Sequence, residues 1–330
     1  MTPEIIYLDH AAATPLNERA LAAMQPYFTE LFYNPSSPYL PALSVRRDYE
    51  AAKDTIARAI GGRADELIMT AGATESVNLA FASVGGHVVT ANIEHHAVLA
   101  AARQYDHTFV AADERGIVSA EEVKKAIRPN TQLVSVALAN NELGTVQPLR
   151  DIAEVVKQER QRRLENGDTM PIYLHSDASQ GVGQLDIHVA RLGVDMLTLN
   201  AGKIYGPKQV GALWTAPHVR LTPQIVGGGQ ERGLRSGTEN VAGTIGFAAA
   251  IDMAVGKRKS EAERLRKLRD DLQQQLVATF PEAVLSGHQK RRLPGHLHIS
   301  FPGVDAERLV FALEARGVLV ATGSACAANK

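Results

Sequence analysis

Short apolar runs rich in valine, isoleucine and leucine recur along the first two thirds of the chain, and longer amphipathic stretches separate them. Runs of four to six residues bounded by turn residues predict buried strands, and the amphipathic stretches predict helices. The predicted strands cover residues 67–70, 87–92, 108–112, 133–138, 172–177, 196–200 and 211–215. The predicted helices cover residues 74–84, 95–104, 119–127 and 149–163. This alternation is typical of an α/β fold with a mostly parallel sheet between two layers of helices.

The last third of the chain has a different pattern, which predicts a smaller second unit. Residues 241–279 form a helical pattern that becomes highly charged from Lys257 onward. Such a charge run is usually a solvated helix face, and its position suggests a helix that bridges two domains. Short strands at 283–287, 296–301 and 318–321 and a helix at 305–316 then predict a small α+β unit.

The composition excludes several classes of function. The net charge of −1 gives no electrostatic reason to expect binding to nucleic acid or to an anionic membrane. The N-terminus lacks the pattern of a signal peptide, and no run of eighteen apolar residues predicts a membrane span. The one cysteine of the sequence, Cys326, cannot form an internal disulfide and is compatible with a reducing compartment. We therefore expect a cytoplasmic protein.

Two motifs predict ligand binding where strands end. In "TAGATES" (70–76) a glycine follows a strand and a helix opens at Thr74, so free N–H groups and a hydroxyl can bind an anion. In "HSDASQ" (175–180) Asp177 and Gln180 follow a strand and would project into the crevice where open α/β sheets bind ligands. Taken singly, the first motif is more often a plain turn, and the second is as often strand-end capping.

A lysine and a histidine add reactive groups to this prediction. Lys203, in "LNAGKIYGPKQVGALW" (199–214), lies between apolar runs, where a desolvated lysine can react with a carbonyl group. His95, in "IEHHAVL" (93–99), begins a helix and can stack on a flat ring. The ordinary alternatives are a solvated loop lysine and a capping histidine. An anion site, an acid and a lysine in this order are what pyridoxal phosphate (PLP) chemistry requires.

With these motifs assembled, the sequence resembles the cysteine desulfurases of the NifS/IscS class, in the fold-type I aminotransferase superfamily. The matching stretches extend over nearly the whole chain, and their order and spacing are specific. They are "YLDHAAATP" (7–15), "NPSS" (34–37), "GATESVNLA" (72–80), "EHHAVL" (94–99), "ANNELGTVQP" (139–148), "SDASQGVG" (176–183), "KIYGPKQVGAL" (203–213), "RSGTEN" (235–240) and "GSAC" (323–326).

The resemblance implies a fold, a cofactor and an activity. It implies a fold-type I PLP-dependent transferase whose large domain, residues 15–255, holds a mostly parallel seven-stranded sheet between helices. Residues 1–14 and 256–330 would form the smaller α+β domain. The implied activity converts L-cysteine to L-alanine in a homodimer. The sulfur passes to an acceptor protein, such as a cluster scaffold, for iron–sulfur cluster assembly or thiolation. PLP is the expected cofactor, and no metal is expected.

The resemblance also assigns roles around the cofactor ring. Lys203 would carry PLP and later move protons, and Asp177 would pair with the pyridinium nitrogen and keep it protonated. Gln180 would bond the ring hydroxyl, and His95 would stack on the ring face and act as an acid or base.

Further implied roles concern the phosphate, the substrate and the sulfur. Thr74 and the backbone at Ala73 would hold the phosphate, and Thr238 would reach a phosphate in the partner subunit. Asn141 would lie on the substrate side of the ring. Cys326 would attack the sulfur of the PLP-bound cysteine and keep it as a persulfide, on a loop that we expect to be mobile. The thiolate is the reactive form.

This sequence departs from the family pattern at several positions. Asn200 and Gly202 replace the family's serine and histidine before the lysine, and both positions normally help to hold the phosphate. An amide and a backbone N–H remain there, so we predict a re-routed phosphate site. Tyr39 and Ala42 stand where the family usually has histidine and glycine. No arginine follows Cys326, whereas the family uses one there to clamp the substrate carboxylate.

Two alternative functions stay open at this point. One is a related PLP lyase, such as a selenocysteine lyase or an aminotransferase-like relative, and an aminotransferase would not need the thiol of Cys326. The other is a PLP-binding scaffold with impaired catalysis, which Gly202 and the missing arginine favour. The joint presence of Lys203, Asp177, Gln180, His95 and Cys326 argues against a scaffold.

Overall fold

A seven-stranded sheet forms the centre of the structure, a computed structural model in which residues 5–323 are described. The strands are β1 (Ile6–Tyr7), β2 (Leu67–Thr70), β3 (His87–Ala91), β4 (His107–Val110), β5 (Thr131–Ser135), β6 (Tyr173–Asp177), β7 (Met196–Asn200), β8 (Gly211–Thr215), β9 (Val284–Leu285), β10 (Ile299–Ser300) and β11 (Val318–Leu319). The central sheet has the order β2-β8-β7-β6-β5-β3-β4. Its neighbours are parallel, except that β8 is antiparallel to β2 and β7. The predicted α/β fold is confirmed, and every strand of this sheet overlaps a predicted one.

Helices cover both faces of this sheet. They are α1 (Glu18–Met24), α2 (Pro26–Thr29), α3 (Leu40–Ala59), α4 (Ala73–Phe81), α5 (His96–Ala102), α6 (Ala120–Ala126), α7 (Leu149–Glu165), α8 (Val189–Leu192), α9 (Val241–Thr279) and α10 (Ala306–Glu314). Val88 and Leu133 belong to the apolar cluster on the α4 and α5 side, while Val89 and Val134 belong to the cluster with α3, α7 and α9. Both faces are buried, so each strand is apolar at successive positions.

The long helix α9 begins and ends at the residues that the sequence predicts. In its first part Phe247 and Ile251 are fully buried in the core, and the helix packs against α1 and α3. Its charged part is largely exposed, since even Leu268 is 55% accessible there. The expectation of a solvated charged face is therefore confirmed.

The two ends of the described chain meet in a short parallel pairing of β1 with β11. The N–H of Ile6 donates to the carbonyl of Gly317 at 2.7 Å, and the N–H of Leu8 donates to Leu319 at 2.9 Å. β9 and β10 form a second two-stranded sheet, which is antiparallel. The pairing of β1 leads the following residues, 8–14, toward the end of β7.

Within residues 5–323, no helix combines the length and the apolar character that crossing a membrane requires.

Candidate active site

The carboxyl ends of β2, β3, β5, β6 and β7 lie at one edge of the sheet, where open α/β sheets bind ligands. β2 leads into α4 through Gly72, whose φ of 129° and ψ of 177° suit only glycine. A methyl group built on Gly72 would meet no atom within 4 Å, so open space adjoins the start of α4. The first N–H groups of a helix lack intrahelical acceptors, so the turn with Ala73 and the exposed Thr74 can bind a phosphate.

Close backbone packing supports this phosphate-binding turn. A methyl group built on Gly211 of β8 would lie 2.7 Å from the Cα of Gly72. Glycine at position 211 therefore allows β8 to pass directly beneath the turn. Glu75, one helical turn away, accepts a hydrogen bond from the N–H of Ala71 at 2.7 Å and holds the turn from its other side.

Lys203 lies at the end of the 3-10 turn that follows β7. Its Nζ donates to the carbonyls of Ala11 and Ala12 at 2.8 and 2.6 Å. The side-chain amide of Gln180 donates to the same Ala11 carbonyl at 3.0 Å. The structure thus brings Lys203 and Gln180 together against the segment that follows β1.

Asp177 ends β6, and His95 stands in the connection between β3 and α5, where it is close enough to both Asp177 and Lys203 to interact electrostatically with them. Asp177, the last residue of β6, accepts the N–H of Ser179 at 2.9 Å. His95 caps α5, and its Nδ1 accepts the N–H of Ala97 at 3.1 Å. Burial lowers the pKa of His95; the charge of Asp177 opposes this change and that of Lys203 adds to it. His95 therefore offers a neutral ring with a fixed orientation.

Two buried titratable residues beneath the site were not singled out from the sequence. Glu94 accepts the N–H of Ala137 at 2.9 Å through Oε1, and its buried Oε2 has no hydrogen-bond partner among the described residues. Burial raises the pKa of Glu94 to about 8, and the Asp177 charge acts in the same direction. His175 bonds Ser135 at 2.8 Å and Thr198 at 2.9 Å. Burial lowers its pKa to about 4. In the sequence, Glu94 directly precedes the two histidines of "EHHAVL", and His175 directly precedes the "SD" of "HSDASQ". These positions were the sequence signal that could have identified both residues.

Asn141 lies half-buried in the turn that follows β5. Its neighbour Asn140 builds this turn, since the Asn140 amide donates to the carbonyl of Ile93 at 2.7 Å and its oxygen accepts the N–H of Glu142 at 2.9 Å. The turn also faces the end of the described chain, because a methyl group built on Gly323 would lie 3.9 Å from Oε2 of Glu142. The charge of Glu142 acts to raise the pKa of His95, against the larger effect of burial.

The positions that depart from the family pattern lie beside the phosphate-binding turn. Asn200 accepts the N–H of Gly202 at 3.0 Å, and the Gly202 carbonyl accepts the hydroxyl of Thr14 at 3.1 Å. A methyl group built on Gly202 would meet its nearest neighbours, Asn200 and Lys208, at ordinary distances of 3.5 and 3.6 Å. The fold therefore leaves room for a side chain at position 202.

One predicted residue, Thr238, lies apart from this group, and another cannot be placed. Thr238 is exposed in the loop that precedes α9. Cys326 lies outside the described residues. The remaining groups fit PLP: a turn for the phosphate, a carboxylate for the ring nitrogen, a lysine amine for the aldehyde and a neutral flat ring for stacking.

Comparison with known proteins agrees with this arrangement. Residues 6–330 match the family model "Aminotransferase class-V". The chain is 39% identical over 336 residues to the cysteine desulfurase IscS of Dictyoglomus turgidum, an alignment that covers 98% of this chain and 82% of that protein. A NifS-like protein of known structure superimposes with a TM-score of 0.91 at 33% identity, over 96% of this chain and 87% of its own. A structure titled "SspA in complex with cysteine" gives a TM-score of 0.82 at 32% identity, over 98% and 90%. The chain belongs to the class-V aminotransferases and, within them, to the PLP-dependent cysteine desulfurase family of IscS and NifS type.

Proposed function

We propose that this protein is a PLP-dependent cysteine desulfurase that takes sulfur from L-cysteine and leaves L-alanine. The observation that carries the proposal is the meeting of Lys203, Gln180, Asp177 and His95 at one sheet edge, next to the phosphate-binding turn. The relatives named IscS and the structural neighbour titled with cysteine agree with this substrate. When bound, PLP supplies an electron sink that stabilises negative charge on the substrate carbons.

The residues around the ring then have distinct tasks. Asp177 holds a proton on the ring nitrogen, because a carboxylate in a partly buried position favours a cation beside it. Lys203 holds the cofactor and moves a proton to and from the substrate carbons. His95, neutral near pH 7, stacks on the ring. Its Nδ1 accepts the Ala97 N–H, so the ring proton is on Nε2, which can act as the acid. Gln180 bonds the ring hydroxyl.

The phosphate and substrate groups belong to neighbouring turns. Ala73 and Thr74 bind the phosphate, and the side-chain N–H groups of Asn200 complete the re-routed part of this site. The N–H of Gly202 is already donated to the Asn200 oxygen, so Gly202 contributes by holding Asn200 in place. Asn141 orients the substrate from the turn after β5.

Cys326 performs the sulfur transfer in this proposal. Its thiolate attacks the sulfur of the substrate, the carbon–sulfur bond breaks, and the electron pair left on carbon takes a proton to give alanine. The sulfur stays on Cys326 as a persulfide. Three residues span at most about 11 Å, and Gly323 lies beside Glu142, so the thiol can reach this side of the site.

Exposed apolar residues near the N-terminal helices support a homodimer. Phe28, Phe32 and Leu40, all within residues 28–40, are 61, 66 and 80% accessible. Single exposed apolar residues are ordinary, but a group of large ones is typical of a protein interface. In the homodimer Thr238, exposed in the loop before α9, reaches the phosphate of the partner subunit.

The remaining parts of the proposal concern domains, acceptor and compartment. The central sheet lies within residues 67–215 and β1 pairs with β11, which supports a large domain of residues 15–255 and a small one of 1–14 with 256–330. The sulfur acceptor is a protein such as a cluster scaffold. A cytoplasmic location suits a reactive thiol, because that compartment is reducing.

The test measures alanine and sulfide formed from L-cysteine and a reductant by the 330-residue chain loaded with PLP. Lys203→Ala should abolish covalent PLP attachment and turnover. Cys326→Ala should retain PLP absorbance near 400 nm and stop sulfide release, whereas Lys125→Ala, on the exposed face of α6, should match the wild type. PLP binding without turnover in the wild type would instead favour the scaffold. Wild-type sulfide release from Cys326→Ala would refute the nucleophile.

A further inference from the structure

Glu231 is a buried carboxylate outside the group of residues around the cofactor. Its Oε1 accepts the hydroxyl of Tyr49 at 2.5 Å, and its Oε2 accepts Lys53 Nζ and the N–H of Met69, each at 2.9 Å. The side chains of Lys53 and Glu231 are each 5% accessible. Burial and the Glu231 charge raise the pKa of Tyr49, so its hydroxyl remains a donor. Glu231 therefore joins its own loop to α3 and β2.

The loop that contains Glu231 has a backbone that needs such an anchor. Five of its residues lie in the left-handed region, and two of them carry side chains that disfavour it. The φ angles are 84° at Gly229, 47° at Glu231, 61° at Arg232, 79° at Gly233 and 114° at Gly237. Such a conformation persists only where surrounding contacts determine it.

A second polar contact ties the same loop to the phosphate-binding turn. Arg235 Nε donates to Oε1 of Glu75 at 2.9 Å, and Oε2 of Glu75 accepts the N–H of Ala71 at 2.7 Å. A cavity of about 60 Å³ lies beneath the loop, between these anchors and the sheet, with Thr70 and Val210 in its lining. Because the loop spans a cavity, its position depends strongly on the polar anchors.

Thr238 follows this anchored stretch and is exposed. The N–H of Gly237 donates to the side chain of Gln230 at 3.0 Å, which closes the loop just before Thr238. The anchored turn and the exposed threonine are thus parts of one rigid loop.

We propose that Glu231 is the positioning residue for Thr238. Glu231 holds the left-handed turn against α3 and β2 and so determines the position at which the Thr238 hydroxyl projects from the protein surface. This inference rests on the proposed homodimer, in which that hydroxyl reaches the partner's phosphate. Loss of the Glu231 anchor should therefore weaken PLP binding without removing any group that touches PLP.

The test is a double-mutant cycle with PLP titrated into the full chain and followed by absorbance. Thr238→Ala should raise the dissociation constant of PLP about tenfold to hundredfold, as expected for one hydrogen bond to a charged group. Glu231→Gln should give a similar increase. The PLP dissociation constant of the double variant should not exceed the larger of the two single-variant values. Additive effects would mean that Glu231 acts independently of Thr238 and would overturn the proposal.

A second variant and a matched control separate positioning from general stability. Tyr49→Phe removes one donor to Glu231 and keeps the ion pair, so it should fold and weaken PLP binding more mildly. Asp195→Asn alters another buried carboxylate, which accepts the N–H of Leu174 and a bond from Arg160 far from the loop. It should lower the melting temperature and leave the PLP dissociation constant unchanged.

Further outcomes would overturn the inference. An unchanged PLP dissociation constant in Glu231→Gln would show that the loop keeps its position without the carboxylate. An unchanged PLP dissociation constant in Thr238→Ala would show that the Thr238 hydroxyl does not contribute to PLP binding, so Glu231 would have no binding group to position. Sulfide release by the wild type, measured separately with L-cysteine and a reductant, would leave the proposed desulfurase function standing, so the two failures are distinguishable.

Discussion

Replacing Glu94 by glutamine should remove a pH dependence of stability that the wild type shows between pH 6.5 and 8. Glu94 is buried in the connection between β3 and α5, and its pKa is raised from 4.5 to about 8, mainly by burial and partly by the charge of Asp177. Glutamine has the same shape and keeps the acceptor for the Ala137 N–H, but it cannot titrate.

The sign and the size of this pH dependence of stability follow from proton linkage. The unfolded carboxyl releases its proton near pH 4.5, whereas the folded one keeps it until about pH 8. Between these values the folded state binds more protons, so the free energy of unfolding falls as pH rises. The slope is about 1.4 kcal/mol per pH unit. Because the slope falls to half this value as the pH reaches the folded pKa, the wild type should lose about 1.6 kcal/mol through this residue from pH 6.5 to 8.

The window is chosen to avoid the buried histidines. The pKa values of His175 and His296 are lowered to about 4, mainly by burial, so their effect on stability lies between that value and about 6.5. Urea unfolding of the PLP-free protein at pH 6.5, 7.25 and 8 gives the required free energies. Glu122→Gln, an exposed glutamate of α6, is the matched control and should keep the wild-type slope. A Glu94→Gln variant whose stability falls in parallel with the wild type would refute the reasoning.

Three other perturbations test separate parts of the structure. Lys53→Met should lower the free energy of unfolding by about 3–5 kcal/mol, because it leaves the Glu231 carboxylate buried without its cation. A loss below about 1 kcal/mol in urea unfolding would contradict this prediction. His296→Asn should remove about 2 kcal/mol of the wild-type stability loss between pH 6.5 and 4.5, since the unfolded histidine takes up a proton there and the folded one largely does not. Equal losses in both proteins would argue against this prediction. Gly211→Ala should raise the PLP dissociation constant about tenfold by pushing on Gly72, with overpacking costing about 1–3 kcal/mol; unchanged titration curves would show that the phosphate-binding turn can shift freely.

The central sheet could be predicted because its strands are buried on both faces. In β3, Val88 and Val89 face opposite helical layers and are both fully buried, so the strand is apolar at successive positions. The helix α3 was not predicted, although Val45, Tyr49 and Ile56 give it an apolar face. Charged residues interrupt that pattern, and the burial of Lys53 within it depends on a partner 178 residues away.

The short strands and buried carboxylates depend on contacts that a local pattern does not contain. β1 and β11 have two residues each and exist because the two ends of the described chain meet. Glu231 lies among glycines, a composition typical of an exposed turn, and only the spatial approach of α3 and β2 explains its burial. The proximity of the site residues that follow strands could be predicted, because the carboxyl ends of parallel strands share one edge of the sheet whatever the intervening sequence.

The raised and lowered pKa values beneath the site have a common electrostatic consequence. At pH 7 Glu94 is largely protonated and His175 is neutral, so the buried layer under Asp177 carries little charge of its own. A negative Glu94 would strengthen the hold on a cationic ring nitrogen, whereas a positive His175 would weaken it. Because both groups stay neutral in a poorly solvated layer, an Asp177 carboxylate paired with the ring nitrogen, as we propose, would act on it with little screening from below. In that proposed arrangement, control of the ring's protonation would rest with Asp177.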